Sequence, residues 1–368
     1  FHGKAVRVQQ RLLQRFPDDL ALRNQMGVTF LMMNQASAAK DVFEAVLEIW
    51  PNDGFAQKNF FLVIICNGTD IQNESLLSDG IHFDYHSNFI SDFMAFLIIV
   101  HYGFILKTTD SNNAHGAHYM RRGIDSGAEG TQDGRFYFHL GDALQRQGLT
   151  EQAYEVYDRA VEKGLFLNRY QRSLYNVDHL TSRPVWSVEQ TAHTEFFRKL
   201  EANWEVIRDE GVALLSVPPQ DGFRPEAENL QDTGDWKQYE LFSRGRKITA
   251  NCVKAPTTCA LIESYPAAAG CKRGQVKFSV MQPKTHVHAH TGPTNCRLRA
   301  HLGLVVPSHV HLRVANKMLI WENGKIIIFD DSWEHEVWHN GTTYRLILIV
   351  DIWHPDLNDQ EKRSLAPI

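Results

Sequence analysis

The feature that most constrains the fold is a repeat in the first half of the chain. Residues 16–19 (FPDD) return 34 residues later as residues 50–53 (WPND). This is the period of the tetratricopeptide repeat, which forms one helix–turn–helix pair per unit. Small and aromatic residues recur where paired helices must approach, at Gly27 and Phe43 and again within 140–160. The pattern predicts an N-terminal α-solenoid, in which each helix pair stacks on the next.

Residues 58–99 break this period. Gly27 predicts a glycine one period later, but the matching context lies at Gly103, which leaves 42 surplus residues. Removing 58–99 joins residues 55–57 directly to residues 100–102 and restores one continuous repeat. A Phe-rich insertion inside a packed repeat helix exposes apolar surface or forms a looped-out excursion. We hypothesise that this anomalous insertion is a splice or gene-model addition.

The hydrophobic period changes to two after a Pro/Gly-rich stretch at 218–222. The segments that alternate between polar and apolar residues are 276–280, 297–302, 312–314, 325–329 and 344–350. Short strands at this spacing favour a sandwich or barrel of the jelly-roll kind. We therefore expect a multidomain α + β protein, with a helical domain over 1–170 and a β domain over 171–368.

The bulk composition excludes several classes of function. The 368 residues carry a net charge of −5, so no basic field is available to bind nucleic acid or an anionic membrane. No apolar run approaches the roughly 18 residues that a membrane span needs. Because the first residue is Phe1 rather than Met, we expect a fragment or a processed chain, with any membrane anchor lying upstream.

The five cysteines show no CxxC spacing, which disfavours a zinc site. Cys252 and Cys259 lie seven residues apart across a short turn. They could form a disulfide in an oxidising compartment, or they could be two unrelated free thiols. Spacing alone leaves both alternatives open.

A candidate site emerges from the β half. His290 precedes a predicted strand, His335 follows 45 residues later, and Arg345 lies ten residues further on the next strand. Two imidazoles on facing strands can bind Fe(II) with positions open for 2-oxoglutarate and O₂. An arginine provides a planar, permanently charged group for the far carboxylate of that keto acid. Each histidine alone is more often a packing residue, but the combination favours a metal site.

Gly292 conflicts with the usual form of such a site. The common facial triad has two histidines and one carboxylate, and the carboxylate lies two residues after the first histidine. In this chain that position is a glycine. Judged by the triad alone, the site is inactive.

Four long segments resolve this conflict by their resemblance to a known family. They are residues 133–143 (DGRFYFHLGDA), 171–177 (QRSLYNV), 290–299 (HTGPTNCRLR) and 330–338 (DDSWEHEVW). The chain resembles the aspartyl/asparaginyl β-hydroxylase family over nearly its whole length apart from 58–99. Members combine tetratricopeptide repeats with a double-stranded β-helix (jelly-roll) oxygenase domain. They hold iron with two histidines and have glycine where the acid would be, as at Gly292.

The resemblance also implies a role for individual residues. The Fe(II) ligands would be His290 and His335. The residues that bind 2-oxoglutarate would be Ser279, Arg299, His301 and Arg345, with Asp331 holding water near the metal. The substrate contacts would be Arg297, Tyr175, Glu228 and Gln238. The resemblance further implies a disulfide between Cys252 and Cys259.

The same resemblance implies a function. The chain would be a peptide-aspartate β-dioxygenase that hydroxylates the β-carbon of Asp or Asn in EGF-like domains, consuming O₂ and releasing succinate and CO₂. It would lie on the lumenal side of the endoplasmic reticulum, anchored by an upstream membrane segment. Ala227 and Gln231 depart from the Asp and Arg usual in the family, so we expect a difference in substrate choice or affinity rather than in the chemistry. The alternatives are a non-catalytic repeat scaffold that binds partner proteins, or an oxygenase acting on a small molecule or lipid.

Overall fold

The chain folds into helices in its first half and sheets in its second. The computed structural model describes residues 2–32, 35–51, 53, 55–56, 59, 63, 92–109 and 111–368. The hypothesis about 58–99 therefore falls largely on residues outside the described part, apart from 59, 63 and 92–99. The chain divides into two compact units, with the boundary between Val156 and Tyr157.

The unit formed by residues 1–156 is helical. Within its described residues, the helices are α1 (His2–Arg15), α2 (Leu20–Met32), α3 (Ala36–Ile49), α4 (Asp92–Thr108), α5 (Asn113–Asp125), α6 (Gly134–Arg146) and the first part of α7 (Thr150–Glu162). Asp133 caps the N-terminus of helix α6, because its side chain accepts a hydrogen bond from the Arg135 amide at 2.8 Å. Helix α4 is continuous across residues 99 and 100, where the insertion was predicted to end.

Glycines allow neighbouring helices of this unit to approach closely. A Cβ at Gly27 of α2 would lie 2.4 Å from the Phe43 ring of α3. A Cβ at Gly103 of α4 would lie 2.5 Å from the Met120 backbone nitrogen of α5. The two glycines that the repeat period made equivalent thus both lie at a close approach between consecutive helices.

The unit formed by residues 157–368 begins earlier than the boundary expected at 170. Arg172 is buried, places its guanidinium 4.0 Å from the centre of the Tyr157 ring, and pairs with Glu334 at 2.9 Å. The end of α7 therefore packs with the β unit. The other helices of this unit are α8 (Thr194–Ala202), α9 (Trp204–Ala213), α10 (Thr249–Cys252), α11 (Pro256–Glu263), α12 (Pro266–Ala269) and α13 (Asp359–Ser364), with 3₁₀ turns at Val188–Thr191 and Leu214–Ser216.

Two antiparallel sheets form the rest of this unit. The strands are β1 (Val185–Trp186), β2 (Arg224–Pro225), β3 (Gln231–Thr233), β4 (Trp236–Ser243), β5 (Arg246–Lys247), β6 (Gln275–Met281), β7 (Thr285–His290), β8 (Arg297–Val305), β9 (Val310–Val314), β10 (Lys317–Leu319), β11 (Ile326–Phe329), β12 (His335–His339) and β13 (Arg345–Trp353). The larger sheet has the order β1-β11-β8-β13-β6-β4-β2, with β5 paired to β4. The smaller has the order β10-β9-β12-β7-β3.

The larger sheet is buried on both faces, and the alternation along its strands separates two environments. On β13, Leu346, Leu348 and Val350 face an apolar core shared with α8, α9 and α11, while Ile347 and Ile349 face the smaller sheet. Each such apolar side chain stabilises the fold by about 1.5–3 kcal/mol when fully buried. On β6 and β8 the same alternation turns polar side chains toward the space between the sheets.

Cys252 and Cys259 form a disulfide between α10 and α11, and both cysteines lie in that core. None of the described helices combines the length and apolar character that crossing a membrane requires.

Candidate active site

A pocket of about 390 Å³, its open mouth included, lies between the two sheets. The lining residues are Trp236, Ser279, Met281, Val287, His290, Arg299, His301, Leu312, His335, Val337, Arg345, Ile347 and Ile349. The six side chains that the resemblance assigned to Fe(II) and 2-oxoglutarate are all among them. They come from β6, β7, β8, β12 and β13, so residues distant in sequence meet only because the sheets face each other.

Two imidazoles lie at one side of this pocket. His290 ends β7 and His335 begins β12, the two residues are paired across the strands, and their ring centres are 4.1 Å apart. The Nδ1 of His290 donates to the His288 carbonyl at 2.7 Å, and that of His335 donates to the Trp333 carbonyl at 2.8 Å. A carbonyl only accepts, so the proton of each neutral ring is on Nδ1 and the lone pair is on Nε2. Burial lowers the pKa of both rings, which keeps them neutral and able to bind a metal.

A β-bulge directs His290 into the pocket. Strict alternation would place His286, His288 and His290 on one face of β7. Between Val287 and His290 two residues of β7 oppose the single residue Glu336 of β12, so the register shifts by one. His290 thereby joins Val287 on the inner face, while His286 and His288 remain on the outer face.

Gly292 is required because Asp331 fills the space beside it. A Cβ at position 292 would lie 2.5 Å from Asp331 Oδ2, and the Gly292 amide donates to the Asp331 carbonyl at 2.6 Å. Among the described residues, the only three His, Cys, Asp or Glu side chains whose ligand atoms lie within 4.8 Å of one another are Asp232, His286 and His288. In this part of the chain His290 and His335 therefore have no third ligand of that kind beside them.

Asp331 is held by two arginines. It accepts from Arg297 at 2.7 and 3.2 Å, and it lies 3.2 Å from Arg299. Burial alone would raise the pKa of this carboxyl, but Arg297 and Arg299 lower it below its ordinary value. Asp351 holds the other side of Arg299 at 2.8 and 2.9 Å. Asp351 fixes both arginines, and sequence reasoning did not single it out because a lone acid in an apolar strand carries no distinctive signal.

The other side of the pocket carries a buried cation. Arg345 is 2% exposed and donates to Ser279 Oγ at 2.8 Å. Its Nε has no hydrogen-bond partner within the described residues, and burial lowers its pKa to about 9. Ser279 Oγ also accepts from Trp236 Nε1 at 2.9 Å, so its own hydroxyl proton remains available to an acceptor.

His301 supplies a second unused donor. Trp321 Nε1 donates to His301 Nδ1 at 3.3 Å, and the two rings stack at 15°. Burial, followed by the charges of Arg299 and Arg345, keeps the pKa of His301 well below its ordinary value. The neutral ring therefore carries its proton on Nε2, which has no partner in the part of the chain that the structure describes. Trp321 and Trp236 escaped sequence reasoning because an isolated tryptophan near a strand usually indicates only packing.

The residues implied for substrate binding lie outside the pocket lining. Tyr175 is 51% exposed, and its backbone amide donates to the Pro293 carbonyl at 3.0 Å, close to the loop that follows His290. Glu228 is exposed. Gln238 Oε1 accepts from Lys277 at 2.7 Å, and burial lowers the pKa of that lysine to about 8. Arg297 is buried against Asp331, so its pairing with a substrate carboxylate remains a prediction.

Comparison with known proteins identifies related hydroxylases. Residues 201–355 match the family model described as aspartyl/asparaginyl beta-hydroxylase. The aspartyl/asparaginyl beta-hydroxylases of Homo sapiens and Mus musculus are each 45% identical over 360 residues, which is 98% of this chain. The chain is a relative of the aspartyl/asparaginyl β-hydroxylases. It spans 42% of the length of these two hydroxylases.

A more distant match covers only part of the chain. The ornithine lipid ester-linked acyl 2-hydroxylase of Rhizobium tropici is 31% identical over 175 residues, 46% of this chain and 60% of that protein. The human and mouse hydroxylases, in contrast, match along the helical unit as well as the β unit.

Proposed function

We propose that this chain is an Fe(II)- and 2-oxoglutarate-dependent dioxygenase that hydroxylates the β-carbon of Asp or Asn residues in EGF-like domains. The observation that carries the proposal is that one pocket contains two kinds of binding group. Two imidazoles present their Nε2 atoms to the pocket, and a buried arginine, Arg345, has no carboxylate partner among the described residues. A buried, uncompensated cation is costly, so an anionic ligand is needed to justify it.

The residues of the pocket fit both groups. Neutral imidazoles with fixed tautomers suit a ferrous ion. The unused donors on Arg345, Ser279 and His301 suit the carboxylates of 2-oxoglutarate. When bound, the iron and the keto acid supply the oxidative chemistry: O₂ is reduced, 2-oxoglutarate becomes succinate and CO₂, and one oxygen atom enters the substrate C–H bond.

The chain itself orients these partners. Arg345 and Ser279 would hold the far carboxylate, and His301 and Arg299 would lie near the chelating end. Arg297 and Arg299 hold Asp331 ionised, so that its carboxylate would be available to order water near a bound metal. Apolar side chains such as Met281 and Leu312 exclude bulk water from the pocket, which strengthens every charged contact inside it.

A polypeptide substrate is supported by the extent of the likeness. The match to the human hydroxylase includes the helical unit, which we propose is a tetratricopeptide solenoid, and solenoids bind extended peptides. In this proposal Tyr175, Glu228, Gln238 and Arg297 contact the substrate, and the β unit is a double-stranded β-helix. A lipid substrate is the second candidate, favoured only by the partial likeness to the Rhizobium enzyme.

The endoplasmic reticulum lumen is the proposed location, with an anchor upstream of this sequence. The Cys252–Cys259 disulfide supports an oxidising compartment, because such bonds are rare in the cytosol. EGF-like domains are secreted modules and would be met there.

The decisive experiment loads the protein anaerobically with Fe(II) and 2-oxoglutarate, then admits oxygen with an EGF-like domain. We expect the peptide to gain one oxygen atom by mass spectrometry, with one succinate formed per hydroxylation. His335→Ala should abolish Fe(II) binding in the pocket and turnover, whereas His309→Ala, in an exposed loop, should leave both unchanged. Turnover that survives His335→Ala would refute the ligand assignment, and succinate formation without peptide oxidation would refute the substrate assignment.

A further inference from the structure

A second group of metal-binding side chains lies on the outer face of the smaller sheet. Asp232 is on the edge strand β3, and His286 and His288 are on β7. Asp232 Oδ2 is 2.8 Å from His286 Nδ1, and Asp232 Oδ1 is 3.4 Å from His288 Nε2. The bulge that turns His290 inward leaves this pair of histidines facing outward, so the group is separate from the pocket.

Neighbouring side chains orient His286 as a metal ligand. Its Nε2 lies 2.8 Å from Glu336 Oε1 on β12, and its ring stacks on Trp338 at an interplanar angle of 20°. Glu336 is fixed in turn by Arg313 at 2.7 and 3.2 Å. A carboxylate that accepts from the far nitrogen of a histidine is the usual support of a metal-bound imidazole, because it fixes the tautomer.

We propose that Asp232, His286 and His288 bind a zinc ion. Two imidazoles and one carboxylate are a ligand set that zinc accepts, with water in the fourth position. Ligand atoms around a tetrahedral zinc lie about 3.3 Å apart. One ligand atom from each of the three side chains lies within 4.8 Å of the others, so the group would have to contract around the ion. The side chains are 40%, 25% and 21% exposed, which leaves the ion a path from solvent.

The ion resolves a conflict within the group. His286 lies between two carboxylates, Asp232 and Glu336, and a neutral imidazole has one N–H to offer. With zinc on Nδ1, the proton stays on Nε2 and is donated to Glu336. Without zinc, both contacts are satisfied only when the ring carries a second proton and a positive charge. The competing interpretation is therefore an imidazolium that bridges two acids.

We expect the zinc ion to link the edge strand β3 to its neighbour β7 and so to restrain that edge. β3 pairs with β7 in an irregular register, and edge strands have few other restraints. A zinc ion that joins Asp232 to β7 adds a restraint at this edge. The site needs neither iron nor 2-oxoglutarate, so its outcome is independent of the proposed enzymatic function.

The test is equilibrium dialysis of the chelator-treated full chain against zinc, with bound metal counted by elemental analysis. The His335→Ala background removes a ligand of the pocket, so that the remaining zinc reports on the outer site. In this background we expect one zinc ion per chain, and we expect its loss on adding His286→Ala and His288→Ala. Adding His311→Ala, a histidine on β9, two strands from β7 in the same sheet, should leave it unchanged.

Two conservative variants protect the test against misfolding. Asp232→Asn keeps the size and polarity of the side chain and should still weaken zinc binding strongly. Glu336→Gln leaves all three ligands in place and should weaken binding by about 10–100-fold. Zinc should also raise the urea midpoint of the His335→Ala protein but not that of its Asp232→Asn derivative. Equal zinc binding by the His335→Ala protein with and without Asp232→Asn, or no zinc bound to either, would overturn the proposal in favour of the bridging imidazolium.

Discussion

Arg345 carries a charge into the protein interior without a carboxylate to balance it among the described residues. Its contacts there are the Ser279 hydroxyl at 2.8 Å and the Trp321 ring, 5.1 Å from the guanidinium carbon to the ring centre. Burial lowers its pKa to about 9 from 12.5. The buried charge therefore destabilises the ligand-free protein, while it keeps Arg345 positioned to bind an anionic ligand. Such conflicts between stability and function are common.

Replacing Arg345 by Met should stabilise the ligand-free protein and abolish its response to 2-oxoglutarate. Removing a buried, poorly compensated charge typically gains roughly 1–4 kcal/mol. The pKa of Arg345 is lower in the folded protein than in the unfolded chain. The destabilisation caused by burying the charged guanidinium is therefore complete below pH 9 and decreases as the pH rises toward 12.5. The stability advantage of the Met variant should shrink over that range. Urea unfolding with and without 2-oxoglutarate and Mn(II) measures both effects.

Arg345→Lys is the matched control, because it keeps a positive charge and loses the planar group. It should not gain stability, and it should bind 2-oxoglutarate less tightly than the parent. In the parent, 2-oxoglutarate at 100 times its Kd should add about 2.7 kcal/mol to the free energy of unfolding. Equal stabilisation of Arg345→Met by the keto acid would contradict the assignment.

Gly292 yields a prediction opposite to that of the facial triad. The triad suggests that Gly292→Asp supplies a missing ligand, but the space is already filled by Asp331, whose Oδ2 would lie 2.5 Å from the new Cβ. Gly292→Ala should cost about 1–3 kcal/mol of stability through overpacking, and Gly292→Asp should weaken Mn(II) binding because the overpacked side chain displaces the loop that follows His290. Calorimetry of Mn(II) binding and urea unfolding are the measurements.

Gly270→Ala provides the comparison, since its Cβ would meet only one atom, the Pro266 carbonyl oxygen at 3.0 Å, away from the pocket. It should leave Mn(II) binding unchanged. Tighter Mn(II) binding by Gly292→Asp would show instead that Asp331 moves aside and that a carboxylate can join the two imidazoles.

At the level of elements, the pocket depends on strands that are buried on both faces. β8 turns Leu298 and Ala300 toward the helices and Arg297 and Arg299 toward the smaller sheet. Burial of the apolar side chains fixes the register of β8. A shift of the strand by one residue would turn the arginines toward the helices and the apolar side chains toward the smaller sheet. The helices that cover the larger sheet therefore help to fix the positions of the charged side chains on its opposite face.

The Cys252–Cys259 disulfide should contribute stability without contributing to binding. It closes a short loop between α10 and α11 in the core behind the larger sheet, and a loop of this size predicts a loss of about 2–3 kcal/mol when both cysteines become Ala. Metal and 2-oxoglutarate affinities should not change. Cys271→Ala, which removes a buried free thiol and keeps the disulfide, is the control that should respond to reducing agent as the parent does.

Unfolding in urea with and without dithiothreitol distinguishes the two variants. The parent and Cys271→Ala should both lose stability on reduction, and the double Ala variant should not respond. A parent protein that is insensitive to dithiothreitol would contradict the stabilising role.

At the scale of the whole molecule, every residue assigned to the pocket lies in the unit formed by residues 157–368. The segment 58–99 belongs to the other unit and interrupts the 34-residue period. Function in the pocket and continuity of the helical repeat can therefore be tested separately.

Deleting 58–99 should preserve a folded helical unit and leave Mn(II) and 2-oxoglutarate binding unchanged. The join brings residues 55–57 directly before residue 100, and the structure has Ala56 buried and helical and Val100 buried within α4. Circular dichroism, cooperative urea unfolding and ligand calorimetry are the measurements. Loss of cooperative unfolding, or transcripts that always include the segment, would contradict the hypothesis that it is an addition to the working protein.

The sequence by itself determined the features that depend on local periodicity. The 34-residue repeat located Gly27 and Gly103 at close helix contacts, and alternation on the strands separated Ser279, Arg299, His301 and Arg345 from their apolar neighbours. These patterns can be recognised in the sequence because every residue of a helix or strand follows the period of that element.

Only the tertiary structure decided how those side chains meet. The bulge that turns His290 inward depends on pairing with β12, and the need for Gly292 depends on Asp331, which is remote in sequence. The carbonyls that fix the imidazole tautomers and the tryptophan that fixes His301 also gain their roles from folding. Contacts between distant segments follow from how strands pair and sheets face each other, and no local period encodes that information.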